Sequence, residues 1–274
     1  MRRAHPLTLV GVPRKRTERR RAMGSDTHNH IHPTALVAPT VRIGKRNVVG
    51  AFTTIEGDVV IGDDNWIGPH VTIGTPAQYT TAKYEFSGQP VTGIRIGSRC
   101  VLREYTTVHQ PSKFETVIED DCYFMAYCHV SHDTRIRHHV ALANNTQIGG
   151  FTDVGEYSTV GLSSMIHQYS TIGAYAMIGM GSVISKDVPP FAKVLGSPAQ
   201  LIGVNAVGME RNGFDRACVA EVERALSEPE YMPSLERLRP FFDRFAQRRQ
   251  QTHRPLLVRT PTELQELLEI TPET

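Results

Sequence analysis

Between Met125 and Ile136 the chain reads MAYCHVSHDTRI, which sets His129 and His132 three residues apart and follows the second with Asp133. An imidazole exchanges a proton near neutral pH and is also the commonest metal ligand, so this run is open to three readings. His132 could be a general base whose second ring nitrogen is held by the carboxylate. The histidines and the acid could hold zinc. Or all three are polar residues on an outer surface. The backbone that positions them has to decide.

That backbone is legible in an apolar repeat of six. From Val37 the steps Ile43, Val49, Ile55, Ile61, Ile67 and Ile73 follow without a miss, a second block reads Ile96, Leu102, Val108, and a third runs from Ile118 through Phe124, Val130, Ile136, Leu142 and Ile148 to Ile184. All 22 stations are apolar in a chain that is 40% apolar, so chance is excluded. Two residues before each station of the third block stands a small or β-branched residue, Cys122, Cys128, Thr134, Thr146 and Ser158 among them, and glycine often follows the station. A period of six suits neither a helix nor a hairpin sheet. It suits a short strand and a turn, three of which close an 18-residue triangular coil, and the fold expected is a parallel β-helix of hexapeptide repeats. Cys122 and Cys128 fall on inward stations, which makes them packed thiols rather than nucleophiles.

In such a coil, residues 18 apart stack in one column. His132 then lies under Gly150 and Gln168, Ser131 under Gly149 and His167, and His129 under Gln147 and Met165. His132 and His167 fall in neighbouring columns two coils apart, about 10 Å along the axis. His129 precedes an inward station and points outward, while His132 sits in a turn. The repeat breaks at 74–95 and 109–117, the second break opening on His109, and loops that leave a regular solenoid commonly hold function.

The rest of the chain sets limits. No apolar run approaches a membrane span, and four cysteines without a CxxC pair fit a reducing, cytoplasmic setting. The net charge of +2 hides a basic stretch, with eight Lys/Arg against Glu18 and Asp26 in residues 1–30, read as a disordered arm. It lacks the apolar core of a secretory signal and the aromatic interleaving of a nucleic-acid binder. Residues 31–212 form the β-helix domain, and from Gly213 to 274 the spacing turns helical, in FDRACVAEVERAL, in SLERLRPFFDRFA with Ser234 as N-cap, and in TPTELQELLEI.

The segments IHPTALVAPTVRIG, REYTTVH, MAYCHVSHD, LANNTQIGG, GLSSMIHQY, DVPPFAKVLGSPA and GVNAVGMERNGF make the chain, over about residues 31–214, similar to the UDP-N-acetylglucosamine O-acyltransferases that open lipid A synthesis. The resemblance implies a left-handed coil, a homotrimer, and transfer of a 3-hydroxyacyl group from acyl carrier protein to the sugar's 3-hydroxyl; because a solenoid's flat face gives one chain no deep cleft, the sites are expected between subunits. It assigns His132 as general base, Asp133 as the residue that orients it, and the Gly150 N–H as oxyanion donor, with neither a metal nor a cofactor beyond the carrier's phosphopantetheine. It further implies that Lys83, His109, His129, His167 and Gln168 contact substrate, and that Asn205 and Arg211 lie near the phosphopantetheine or the nucleotide.

Three positions depart from the family pattern. Phe151 replaces a histidine after the glycine of the oxyanion position, Thr81 stands where an acid precedes the loop lysine, and Met180 replaces the glycine of long-chain members. The first two bear on the acceptor. Met180 predicts a shorter acyl donor by filling the end of the acyl groove, unless it is an interior gap-filler. Two other enzymes therefore stay open, an N-acyltransferase acting on a 3-amino sugar nucleotide and a zinc-dependent carbonic-anhydrase-like hexapeptide enzyme. A non-enzymatic scaffold leaves the histidines unexplained. An acidic carrier protein calls for a basic dock, for which Arg211, Arg216, Arg224, Arg237, Arg239, Arg244, Arg248 and Arg249 are the candidates.

Overall fold

A hexad allows each strand only two or three residues before the chain must turn, and the structure, a computed structural model, is built of such strands. It describes residues 27–78, 93–228, 230–252 and 254–258. Among these, three sheets of ten, eight and seven strands form the faces of a prism; they are parallel except for the last strand of the first, and through the hexad repeat neighbouring strands are three apart in chain order. On the second face His129 pairs with Thr107 below and Gln147 above, and Gln147 with Met165. The 18-residue column holds through this part of the chain.

The stations fill the prism. Val130, Ile136, Leu142, Ile148, Val154 and Val160 are wholly buried, and so are the small residues Cys128, Thr134, Thr146, Thr152 and Ser158. The small inward residues also satisfy backbone groups. Thr152 Oγ1 donates to Gly149 O at 2.7 Å and Ser158 Oγ to Gly173 O at 2.9 Å. A hydroxyl two residues before a station thus serves a corner carbonyl that no ladder reaches. Burial pushes the Cys128 thiol up to about 12, as expected of a packed thiol.

Most corners turn on one left-handed residue three after a station, as at Asp133 (φ 59°), Phe151 (φ 59°) and Tyr169 (φ 63°). The glycine after the station answers a different constraint. A Cβ on Gly161 would sit 2.6 Å from the Met180 backbone nitrogen of the next coil, so stacking at about 4.8 Å excludes a side chain there.

Both breaks in the repeat leave from the corner between the second and third faces. The first opens after the strand Thr72–Thr75 and the repeat resumes at Ile94–Ile96; the second lies between Thr107–His109 and Thr116–Ile118. The turn 131–134 occupies that same corner one coil on. The strand ends from which both breaks leave and the His132–Asp133 pair are therefore stacked at one edge of the prism. Lys83 and Thr81 of the first excursion lie outside the described residues, as do residues 1–26 and TPTELQELLEI.

The solenoid ends in an antiparallel hairpin, Ala192–Leu195 with Gln200–Val204, followed by α1 (Ala206–Arg211), α2 (Arg216–Ser227) and α3 (Arg239–Thr252). Helical structure begins at Ala206, before the stretch where the spacing predicts it, because six residues are too few to show a period. In α2, Asp215 caps the first turn by accepting from Cys218 N at 2.9 Å, and Cys218, Val222 and Leu226 face inward. The helix expected from Ser234 starts instead at Arg239: Ser234 Oγ and N–H are both engaged with Glu221 of α2. No described helix is long and apolar enough to cross a membrane.

Several arginines read as carrier-docking candidates have other partners. Arg224 pairs with Glu228, Arg237 donates to Gly213 O, and α3 turns Arg244 onto Glu156 (2.6 Å) and Arg249 onto buried Asp187 (3.1 Å). Arg248 donates to Phe151 O at 3.2 Å. Arg211, Arg216 and Arg239 are exposed and form no ion pair among the described residues.

Candidate active site

The corner at His132 is built around a buried carboxylate. Asp133 takes the left-handed turn position, which swings its side chain back under the loop 110–115. There it accepts from Ser112 Oγ (2.6 Å), Ser112 N–H (3.1 Å), Lys113 N–H (2.6 Å) and Phe114 N–H (2.5 Å). Its Oδ2 also lies 2.5 Å from His132 Nδ1. Burial alone would raise this carboxyl, but the hydrogen bonds from His132, Phe114, Ser112 and Lys113 outweigh it and hold the group well below the usual carboxylate range. A carboxylate accepts and does not donate, so the neutral His132 ring carries its proton on Nδ1 and its lone pair on Nε2.

Gly150, one coil above, packs against the ring. A Cβ there would fall 2.7 Å from His132 Cε1 and 2.9 Å from Nε2, so only glycine lets the backbone lie on the imidazole. Among the described residues no backbone hydrogen bond uses the Gly150 N–H, which leaves a donor beside the His132 ring. Gly150→Ala is expected to lower kcat by about 10- to 100-fold through displacement of the ring, with the melting temperature nearly unchanged. A variant with wild-type kcat would show that the close approach is incidental to the chemistry.

Phe151 forms an apolar wall. Its ring meets His132 edge-on at 5.3 Å and stacks on Tyr169 at 4.5 Å. The substitution that sequence comparison marks as a departure thus shields the His132–Asp133 pair from water and strengthens their interaction.

His109 and His129 adjoin His132, their own rings crossing edge to face at 4.5 Å. Burial, reinforced by His129 and His132, lowers the His109 pKa to about 4, so it is neutral at neutral pH. Burial also lowers His129, which shares a 2.7 Å hydrogen bond between Nδ1 and Thr107 Oγ1. The buried Nδ1 of His109 has no hydrogen-bond partner among the described residues, a group that a bound polar ligand would satisfy. His167 and Gln168 are exposed on the same corner two coils on, as the column arithmetic expects.

Other expected residues stand apart. Asn205 caps α1: its Oδ1 accepts from Gly208 N and its Nδ2 donates to Tyr175 O, so both ends of the amide are engaged. Arg211 is exposed in the last turn of that helix. Met180 is 65% exposed, which rules out the interior gap-filler. It lies one coil beyond Leu162, also exposed, at the corner between the first and second faces. Among the described residues no three His, Cys, Asp or Glu side chains are placed to hold one metal ion, so the zinc reading lacks a ligand set there. The residues that sequence reasoning missed are Ser112, Lys113 and Phe114, which act largely through backbone N–H groups, and Arg254, whose Nη2 lies 2.5 Å from His167 Nδ1.

The chain is 38% identical to the acyl-[acyl-carrier-protein]–UDP-N-acetylglucosamine O-acyltransferase of Thermodesulfovibrio yellowstonii, over 72% of this chain and 83% of that protein. It is 39% identical to the protein of the same name from Halorhodospira halophila, over 71% of this chain and 82% of that one. The family model for Udp N-acetylglucosamine O-acyltransferase, Domain 2, matches residues 187–228. Among solved structures, the UDP-N-acetylglucosamine acyltransferase from Campylobacter jejuni superposes with a TM-score of 0.70 at 25% identity, covering 84% of this chain and all of that one. The Arabidopsis enzyme gives 0.59 at 28% identity, over 81% and 89% of the two chains. The solenoid is the left-handed parallel β-helix of that fold.

Proposed function

The chain belongs to the acyl-[acyl-carrier-protein]–UDP-N-acetylglucosamine O-acyltransferase family, and we propose that His132 is the general base that activates the sugar's 3-hydroxyl in its reaction. It is an acyltransferase that takes its acyl group from acyl carrier protein and passes it to UDP-N-acetylglucosamine. The observation that supports the site assignment is the pairing of His132 Nδ1 with a buried, ionised Asp133 while Gly150 lies against the same ring.

A sugar hydroxyl is a poor nucleophile at neutral pH. His132 Nε2 takes its proton as the oxygen attacks the thioester carbonyl. The carbonyl oxygen becomes an oxyanion and accepts from the Gly150 N–H. Collapse breaks the carbon–sulfur bond, and the imidazolium returns the proton to the departing phosphopantetheine thiolate. Asp133 stabilises that imidazolium and fixes its tautomer. The step needs neither a covalent acyl-enzyme nor a group beyond the carrier's own phosphopantetheine. His109, His129, His167, Gln168 and Lys83 contact the substrates, with Asn205 and Arg211 toward the phosphopantetheine or the nucleotide.

The site lies on a convex edge, and a flat-faced solenoid gives one chain no deep cleft; a homotrimer with sites between subunits supplies the missing wall. The exposed Arg211, Arg216 and Arg239 are the basic groups left to meet an acidic carrier in a cytoplasmic setting. Exposed Met165 stands in the column of His129 on the second face, with exposed Leu162 and Met180 at the corner between the first and second faces, and the acyl chain follows this strip, with the acyl end at Met180. Met180→Gly is expected to move the preferred 3-hydroxyacyl donor to a longer chain, with little change in KM for the sugar nucleotide. An unchanged chain-length profile would remove Met180 from the groove.

The assay that tests the whole reading offers 3-hydroxyacyl carrier proteins of graded length, with UDP-N-acetylglucosamine and its 3-amino analogue side by side. Turnover of the hydroxyl sugar is the expected result. Turnover of only the amine would reassign the acceptor, against relatives whose names specify O-acylation.

A further inference from the structure

The segment after α3 returns to the prism and is pinned there. Asp187, fully buried, donates its N–H to Pro255 O at 2.8 Å and accepts from the Leu257 N–H at 2.8 Å through its carbonyl. Its carboxylate accepts from Thr171 N–H at 2.7 Å and from Arg249 Nε at 3.1 Å. These bonds fasten the end of α3 and residues 255–257 to the corner one coil beyond His167 and Gln168. Arg254 is carried between two fixed points onto His167.

Arg254 Nη2 lies 2.5 Å from His167 Nδ1, which also lies 3.0 Å from Gln168 O. One Nδ1 cannot both donate to the carbonyl and accept from Arg254. A guanidinium has donors only and keeps its charge, so the shorter, charge-assisted contact decides: Nδ1 accepts and the ring proton sits on Nε2. His167 becomes a fixed Nε2–H donor beside a cation. Lys186, exposed, stands one coil above Gln168 in the column of His132 and Gly150. Beyond the base, this corner gathers Arg254, Lys186 and the His167 N–H, a donor set suited to phosphate oxygens.

The geometry points to Arg254 as a substrate-binding residue that, with His167, reads the diphosphate of the nucleotide sugar. The inference rests on the proposed acceptor. With its 3-hydroxyl at His132 Nε2, the sugar spans the level of Gly150, and the groups on its anomeric oxygen extend toward His167, about 10 Å from the base.

The experiment compares wild type, Arg254→Ala and Arg254→Lys. Kinetics use acyl carrier protein and UDP-N-acetylglucosamine as varied substrates, and calorimetry titrates UDP and uridine. The alanine variant is expected to raise KM for the sugar nucleotide by about 10- to 100-fold, with kcat and KM for the carrier within about twofold. UDP binding should weaken by a similar factor while uridine binding does not change. Lysine keeps the charge without the fork and should restore part of the loss. Unchanged KM and UDP affinity in the alanine variant would overturn the inference. So would a rise in both KM values with a lowered melting temperature and no rescue by lysine, which marks a strap with no ligand role. If wild type turns over no sugar nucleotide, the acceptor reading fails, yet the UDP titration still decides: weaker binding in the alanine variant supports a nucleoside-diphosphate subsite, and equal or absent binding rejects it.

Discussion

His132→Ala is expected to lower kcat by about 10³-fold, with kcat/KM falling in step, because the base acts only as the proton leaves the hydroxyl. The ring is nearly buried against Gly150 and Phe151, so its removal leaves a void that could disturb the corner. His132→Gln fills that volume without a basic nitrogen and should lose as much activity, with an unchanged circular dichroism spectrum and elution volume. A residual rate above the uncatalysed reaction is expected from the Gly150 donor and substrate positioning, which neither variant touches. Either variant within tenfold of wild type would show that another group takes the proton.

The place of His132 in the coil was legible because the fold is periodic, while its role as base came from the family resemblance. Once the stations fix an 18-residue column, the positions of His132, Gly150 and Gln168 follow by arithmetic, and the pairing of His129 with Gln147 and of Gln147 with Met165 bears that out. Periodicity is silent wherever the chain leaves the column. The loop 110–115 acts on Asp133 through the N–H groups of Ser112, Lys113 and Phe114, and a backbone donor leaves no mark in residue type. Arg254 reaches His167 across 87 positions of sequence, guided by a strap whose bonds to Asp187 are largely main-chain. The six-residue α1 is too short to show a pattern, and its cap Asn205 looks like a ligand contact until both amide ends are seen to be engaged. Met180 stands two residues past a station, a phase that is exposed at Leu162 but buried at His132, Glu156 and Ala174, so its exposure was not legible from the column.

Asp133→Asn tests the other half of the pair and should be nearly as damaging, by about 10² to 10³ in kcat. The carboxylate serves five donors at once: the His132 imidazole, the Ser112 hydroxyl and the N–H groups of Ser112, Lys113 and Phe114. An amide has one oxygen. If that oxygen faces the loop, the NH2 faces His132 Nδ1, which must then accept, and the proton moves to Nε2 where the base should be vacant. If the oxygen faces His132, the NH2 is driven against loop N–H groups and the loop loses its anchor. Either orientation damages catalysis, and the second also loosens residues 112–114, which amide hydrogen exchange would report. Acid adds a further signature. The folded-state carboxyl is depressed, so its contribution to stability is present above the unfolded value near 3.9 and is lost only as pH falls through the lower folded value. The asparagine variant lacks that contribution at every pH above about 4, and its stability deficit against wild type should narrow as pH falls below that value. A deficit constant down to pH 2, together with a kcat loss under tenfold, would mean that Asp133 neither holds the loop by its charge nor sets the tautomer of His132.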